Sequence, residues 1–398
     1  MGMIINIDQA LELRTDYNVL KEPLNKMLTD MQEAWEKENP IDFLFKRSTI
    51  DRFQQTYTSS IGFNHAFKET SDYTVGPIFN TAEGFSTTYT TRTFQGSFII
   101  TQQVLEDGNR GQVKDDATAF MKRWHGDLVE YAMAAIDAGF GIERDYEGSR
   151  LLLKSADTSD GDINNTSKNP LFYTNHTSVK RKGMTDNDVI KQSNMFAALT
   201  ASNTQAINVA GEDPAKVSKL ADFINYVITE MENYRDDNGK RAGVLGPKVI
   251  VAPNDARLCA ALNAALSMDM FGQEPNVAYK RATLKSTPYL RDINACKDGC
   301  GFFIVDPSYN AANHGPEFTE RIPLTLDVIE EKRPKGIVYD GRQRFDINVC
   351  SWRGIAYCYI GVPGSGDAWN AVGKFTKVTP VSTVKAVGVV GTVTTKSE

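Results

Sequence analysis

Basic residues are in short supply. The 398-residue chain carries 44 Lys and Arg against 50 Asp and Glu, a net charge of −6. A dedicated nucleic-acid binder needs a surplus of Lys and Arg to neutralise phosphates, so this balance argues against one. It is compatible with a protein that surrounds DNA without adhering to it. Cysteine is also scarce: Cys259, Cys296, Cys300, Cys350 and Cys358 make an odd five. That reads as free thiols in a reducing compartment, not as a disulfide framework. No apolar run approaches membrane-spanning length, and MGMIINIDQALELR at the start has no basic region leading into an apolar one. A membrane protein and a signal peptide are therefore not expected, and work or assembly in a cytoplasm is.

Catalytic motifs are missing as well. The chain lacks G-x-G-x-x-G, the phosphate loop, H-E-x-x-H and G-x-S-x-G. Gly361-Val-Pro-Gly-Ser-Gly366 is glycine-rich but precedes no strong helix, so it reads as a loop. Cys296 and Cys300 form a C-x3-C pair without the second ligand pair that structural zinc needs. Cys259 sits on the buried face of a helix and reads as a small core residue. Counting a calcium loop from Asp160 gives Asp162 and Asn164, but Asn165 stands where glycine is required and Leu171 where Glu is. Of the four histidines, His65 and His314 are isolated, and His125 falls at the rim of a helix. His176, in FYTNHT, has the most suggestive company, but no Ser, Cys or metal partner at readable spacing. Catalytic, cofactor-binding and metal residues are accordingly expected to be none.

What the chain does have is elements in search of partners. Residues 8 to 37 form a charged, helix-prone arm with Leu20, Leu24, Met27, Leu28, Met31 and Trp35 along one face, ended by Asn39-Pro40. Residues 70 to 103 are rich in Thr, Tyr and Phe and punctuated by Gly76-Pro77 and Gly84, the pattern of a long β-hairpin. Such a ribbon is only marginally stable alone and should lie on something else. Residues 115 to 138 then give a strong helix. Phe120, Trp124, Leu128, Ala132 and Ile136 recur every four residues, and Met121, Val129 and Ala135 widen the stripe. Asp115 and Asp116 fall in its first turn, where the helix dipole favours negative charge.

A second helix covers 213 to 235, capped by Asp213 with Pro214 in the first turn. Its buried stripe is Val217, Leu220, Phe223, Ile224, Val227, Ile228 and Met231. KVIVAPNDARLCAALNAAL, from 248 to 266, reads as a buried strand stopped by Pro253, an N-cap at Asn254 and an amphipathic helix. GFFIVD, LTLDVIEE, RFDINVCSW and IAYCYIG add strands. The Val/Thr-rich tail from 378 is either a loose extra strand or disordered. Exposed arms and ribbons are hazards in a monomer and make sense when neighbouring copies cover them.

The order of these pieces resembles the major capsid proteins of tailed bacteriophages, the Hong Kong 97-type fold. FIITQQVLEDGN is similar to the end of that family's extended loop, and DDATAFMKRWHGDLVEYAMAAIDAGFG to its spine helix. PLFYTNHTSVKRKGMTD resembles a segment of several such head proteins. GPKVIVAPNDARLCAALNAAL resembles the strand–Pro–helix of the axial domain, and DINVCSWRGIAYCYIG the closing strands of the peripheral domain.

The resemblance implies an α+β chain with five parts. These are an N-terminal arm (1–65), an extended β-hairpin loop (66–103), a peripheral domain with the spine helix (104–140 and 323–361), an α/β axial domain (141–322) and a tail (362–398). It further implies a structural protein, not an enzyme, assembling through hexamers and pentamers into an icosahedral virion shell around double-stranded DNA. A separate scaffolding protein, a portal and decoration proteins would be partners, and assembly would occur in the host cytoplasm. Two alternatives stay open: a bacterial nanocompartment (encapsulin-like) shell that binds cargo peptides, and a soluble α/β enzyme using His176 with nearby carboxylates.

Overall fold

The computed structural model describes residues 17–37, 39–61, 81–101, 103, 110–141, 143–181, 183–185, 188–200, 214–290, 300–332, 335–360 and 373–377. The arm becomes helix α1, Tyr17–Lys37. Asn39 caps the 3-10 turn Pro40–Phe43 by accepting from the Ile41 amide at 2.9 Å. Strands β1 (Lys46–Thr49), β2 (Gln54–Ser60), β3 (Glu83–Thr90) and β4 (Arg92–Thr101) follow. Helix α2, Arg110–Ala138, is the long spine. It starts five residues before Asp115, so Asp115 and Asp116 lie past the first turn, a correction to the dipole argument. Beyond it come β5 (Met195–Thr200), α3 (Pro214–Glu232), β6 (Lys248–Pro253), α4 (Ala256–Ser267) and β7 (Ala282–Thr287). Strand β8 (Cys300–Val305), helix α5 (Pro307–Ala312), β9 (Glu317–Lys332), β10 (Lys335–Asn348), β11 (Ile355–Ile360) and β12 (Gly373–Lys377) close the chain.

Two larger sheets organise these elements. One runs β1-β9-β10-β4, with β9 and β10 forming a hairpin that pairs from Glu317 opposite Asn348 to Lys332 opposite Lys335. The other runs β7-β6-β8-β11-β5-β12. Its central strands are buried on both faces, as at Phe302, Phe303, Ile304 and Val305, which is why they read as unbroken apolar runs. Helix α3 buries the stripe expected of it, Val217 through Met231. Its predicted cap, Asp213, lies outside the described residues. On α4 the cap is Asp255, whose Oδ1 accepts from the Leu258 amide at 2.9 Å; the expectation of Asn254 was one residue early.

The ribbon expected over 66–103 is differently built. Residues 62–80 lie outside the described residues. Strand β3 pairs not with β4 but with β2, and β4 is a full member of the four-stranded sheet, matched to β10 from Arg92 to Thr101. The hairpin is therefore 54–60 with 83–90. Gly84 serves a close approach, since a Cβ there would lie 2.4 Å from Ser59 Oγ. Its apolar residues are covered by the chain's own body: Phe85 and Tyr89 bury against Ile61, Ala156, Val179 and Cys350.

The arm, too, has its partner at home. Leu28 is fully buried with Ile100, Val113, Ala117, Met121, Ile337 and Tyr339, and Met27 and Met31 pack on the same cluster. Neither element needs a neighbour for its described part, because one amphipathic stripe meets another in the same chain. The closing strand also departs from expectation. Strand β11 sits between β8 and β5 in the six-stranded sheet, not with the four-stranded one. From the tail, Gly373–Lys377 is an extra edge strand on β5, and 378–398 lie outside the described residues.

Candidate functional site

The strongest sequence-level candidate, His176, comes together with residues far from it in the chain. Short antiparallel pairings, Lys154–Thr158 with Lys168–Pro170 and His176–Thr177 with Lys191–Gln192, carry it inward. The ring is fully buried and stacks on Trp352, centroids 4.1 Å apart and planes 8° from parallel. Nδ1 lies 3.0 and 3.1 Å from the two Asp157 carboxylate oxygens. Nε2 lies 3.2 Å from both the Leu171 carbonyl and Asn194 Oδ1. Each ring nitrogen thus faces acceptor oxygens.

Asp157 is equally enclosed. Its carboxylate accepts from Ser155 Oγ and from Asn169 Nδ2 at 2.7 Å. Burial alone would raise its pKa. The charge of His176 and the hydrogen bonds from His176, Ser155 and Asn169 outweigh burial and hold the carboxyl below its usual range.

A serine, an aspartate and a histidine in contact invite comparison with a nucleophilic triad, and the connectivity refuses it. In a triad the imidazole stands between the hydroxyl and the carboxylate and takes the hydroxyl proton. Here Ser155 donates to Asp157, and the far side of His176 meets a carbonyl and an amide oxygen. Ser155 and His176 are both fully buried, so no substrate reaches either. The cluster ties together the 154–158 strand, the 171–177 turn, the residue before β5 and the loop before β11. Sequence reading missed Asp157 as a partner because nineteen residues and a polar loop separate it from His176.

His125 is not at a helix rim. It is 7% exposed, stacks on Trp35 at 4.3 Å, and places Nε2 2.7 Å from Gln32 Oε1. The arm covers it, which helical periodicity within α2 could not reveal. Its neighbour Trp124 is half-buried and donates from Nε1 to Gln343 Oε1 at 3.0 Å. The Trp124 ring lies over Gly96 and Gly341, which face each other across β4 and β10; a Cβ on either would come within 3.4 Å of it.

Other candidates give no chemistry. Cys296 lies outside the described residues, as does the Cys300 side chain. Cys350 and Cys358 are buried thiols; burial pushes Cys350 up to about 12, far from a reactive thiolate. In the 160–165 loop, Asp160 and Asp162 accept from the Asp162 and Asn164 amides, so these carboxylates hold turns. Among the described residues no group of three or more His, Cys, Asp or Glu could hold a metal ion, and no helix is long and apolar enough to cross a membrane.

A different feature stands out on the surface. Leu245 is 72% exposed, just ahead of β6. Met268, Met270, Val277 and Tyr279, on and beside the small hairpin that follows α4, are between 38% and 51% exposed. Because β6 and β7 run parallel, the residues before each strand lie at the same end of the sheet. Five large apolar side chains therefore crowd one end of one lobe, the kind of surface that another protein covers.

The chain is similar to proteins of bacteriophage capsids. A structure of Mycobacterium phage Patience aligns at 12% identity and a TM-score of 0.45, covering 92% of each chain. A virus-like particle from Pyrococcus furiosus aligns at 11% and 0.44, over 85% of this chain and 98% of that one. The mature capsid of bacteriophage PhiM1 aligns at 10% and 0.42, over 81% and 86%. No family model matches the sequence, and no curated protein does.

Proposed function

We propose that this protein is the major capsid protein of a tailed bacteriophage. It is a structural subunit, not an enzyme, that self-assembles through hexamers and pentamers into an icosahedral head enclosing double-stranded DNA. The observation that carries this reading is the apolar end of the six-stranded sheet, Leu245 with Met268, Met270, Val277 and Tyr279. Burying exposed apolar area is worth about 25 cal/mol per Å². A closed ring of identical copies can cover such a surface on every subunit at once. The sealed His176 cluster supports a non-catalytic role, because its reactive groups are consumed by one another.

The division of labour follows the two sheets. The four-stranded sheet with α1 and α2 is the peripheral lobe. The six-stranded sheet with α3 and α4 is the axial lobe, with its apolar end toward neighbouring copies. A separate scaffolding protein, a portal and decoration proteins would complete the virion, assembled in the host cytoplasm. Electron microscopy of the purified protein, with and without scaffolding protein, tests the reading. Closed shells containing nuclease-protected DNA after infection are expected. A monomer at every concentration and salt would overturn it, and closed shells without nucleic acid would favour a nanocompartment.

A further inference from the structure

Against the acidic balance of the whole chain stands one concave cationic site. A cavity of about 500 Å³ is lined by Lys191, Arg235, Lys240 and Arg241 together with Glu230 and Asn233. Its lining holds four cations against one carboxylate, that of Glu230. Asp236, on the same turn, is occupied as an acceptor for the Asn238 and Lys240 amides at 2.9 and 2.8 Å. Lys191, Arg235, Lys240 and Arg241 are all exposed, and among the described residues no salt bridge to an acid neutralises them.

The site is built rather than loose. A tight turn pairs Arg235 with Arg241 and closes with Asp236 N to the Lys240 carbonyl at 2.7 Å; Gly239 takes φ +80°. From behind, Gln192 grips the Arg235 backbone at both N–H and C=O, at 2.7 and 3.0 Å. Arg353 donates to the same carbonyl at 3.0 Å and pairs with Asp237 at 2.9 Å. Arg181 donates to the Asp237 carbonyl at 2.8 Å. The guanidinium groups at the front each spend one nitrogen on orientation: Arg235 Nη1 donates to Gly239 O at 2.8 Å, and Arg241 Nη1 donates to Asn233 Oδ1. Their remaining N–H donors stay available in the planar fork that matches an oxyanion bidentately.

We infer that this cavity binds the phosphodiester backbone of nucleic acid. This rests on the reading of the protein as a shell around DNA. Several cations on a hydrogen-bonded turn, without a base-reading element or stacking aromatic facing out, fit a sequence-independent contact to successive phosphates. An acidic segment of a second copy is the competing occupant. The described acidic loops favour it less: Glu143 is paired with Arg150 at 3.2 Å, and Asp160 and Asp162 are tied into their own turns.

The test compares the full chain with the double variant Lys240→Glu, Arg241→Glu, and with Lys154→Glu, a cation whose own side chain is exposed elsewhere on the surface. Binding of a fluorescein-labelled 20-base-pair duplex is followed by anisotropy across a salt series, and particle formation is followed separately by electron microscopy. The double variant should bind duplex at least tenfold more weakly. Its plot of log affinity against log salt should flatten by about 0.9 for each phosphate that the protein no longer neutralises. Lys154→Glu should match the wild type, and all three should form the same particles. Equal affinity and equal salt slope in wild type and double variant would overturn the proposal. So would normal duplex binding combined with failed particle formation in the double variant, which would assign the cavity to a neighbouring copy. If no form assembles yet the duplex result holds, the shell reading fails while the site stands.

Discussion

Two polar regions of this molecule sit close in the chain and behave oppositely. The His176 cluster encloses a carboxylate and an imidazole whose nitrogens all find acceptors, and it leaves nothing for a ligand. The Arg235–Arg241 turn, held by Gln192 next to the 176–177 pairing, gathers four cations beside the single carboxylate of Glu230. Charge that a fold seals and matches is holding the fold together. Charge that it props up and leaves unmatched is available to something else. Both regions are tied by hydrogen bonds, so bonding alone does not distinguish a site from a staple; satisfaction of the charges does.

The contrast is tested most severely at its buried half. Asp157→Ala strands His176 among acceptors with no counter-charge and frees Ser155 and Asn169. It should cost about 3–5 kcal/mol, the range for removing one partner of a buried pair. Urea unfolding of the unassembled protein measures it; a loss below about 1 kcal/mol would mean that the pair is not the staple described. His176→Ala should be similarly damaging, whereas a histidine without a bonded partner would tolerate the change.

A smaller effect separates neighbours on α2. Sequence periodicity makes Trp124→Ala far costlier than His125→Ala. The structure brings them closer. The half-buried indole should be worth about 2–3 kcal/mol, below the 3–5 kcal/mol of a fully buried Trp. The His125 ring should be worth about 1–2 kcal/mol, through its stack on Trp35 and its bond to Gln32. Thermal or urea denaturation of both variants decides between a large and a small gap.

His125 also predicts a pH dependence. Burial, only partly opposed by the charge of Glu36, pushes its pKa down to about 4. An unfolded histidine takes up its proton near pH 6.5. Between those values the unfolded chain binds more protons, so this contribution is complete above about pH 6.5 and is lost as pH falls toward 4. The difference between wild type and His125→Gln, followed from pH 7 to 5, should shrink steadily. A constant difference would place His125 in water instead of under the arm. Least of all, Lys240→Ala and Arg241→Ala should change stability by no more than about 0.5 kcal/mol, since cations exposed to water hold little together. A larger loss would show that the turn is structural after all.

Much of the architecture was legible in the sequence because single elements declare themselves locally. The four-residue recurrence on α2 and the stripe on α3 need only one helix to be read, and Pro253 stops its strand by chemistry that acts within a residue or two. The sequence misleads wherever pairing is at stake. Strand β3 has the same Thr- and Tyr-rich composition whether it pairs with β4 or with β2, and nothing in that composition records the choice. Strand β11 reads as apolar in either sheet.

By itself, then, the sequence determined the long spine helix, the stripe of α3 and the strand that Pro253 stops, and that motif chemistry is absent. These follow from periodicity and steric preference along a single stretch of chain. Only the tertiary structure decided that the arm lies on its own spine helix, that Asp157 answers His176, and that four cations share one cavity. Each depends on residues tens to hundreds of positions apart, as with Trp352 stacked on His176. Proximity in space is set by the packing of whole faces, and no local pattern encodes it.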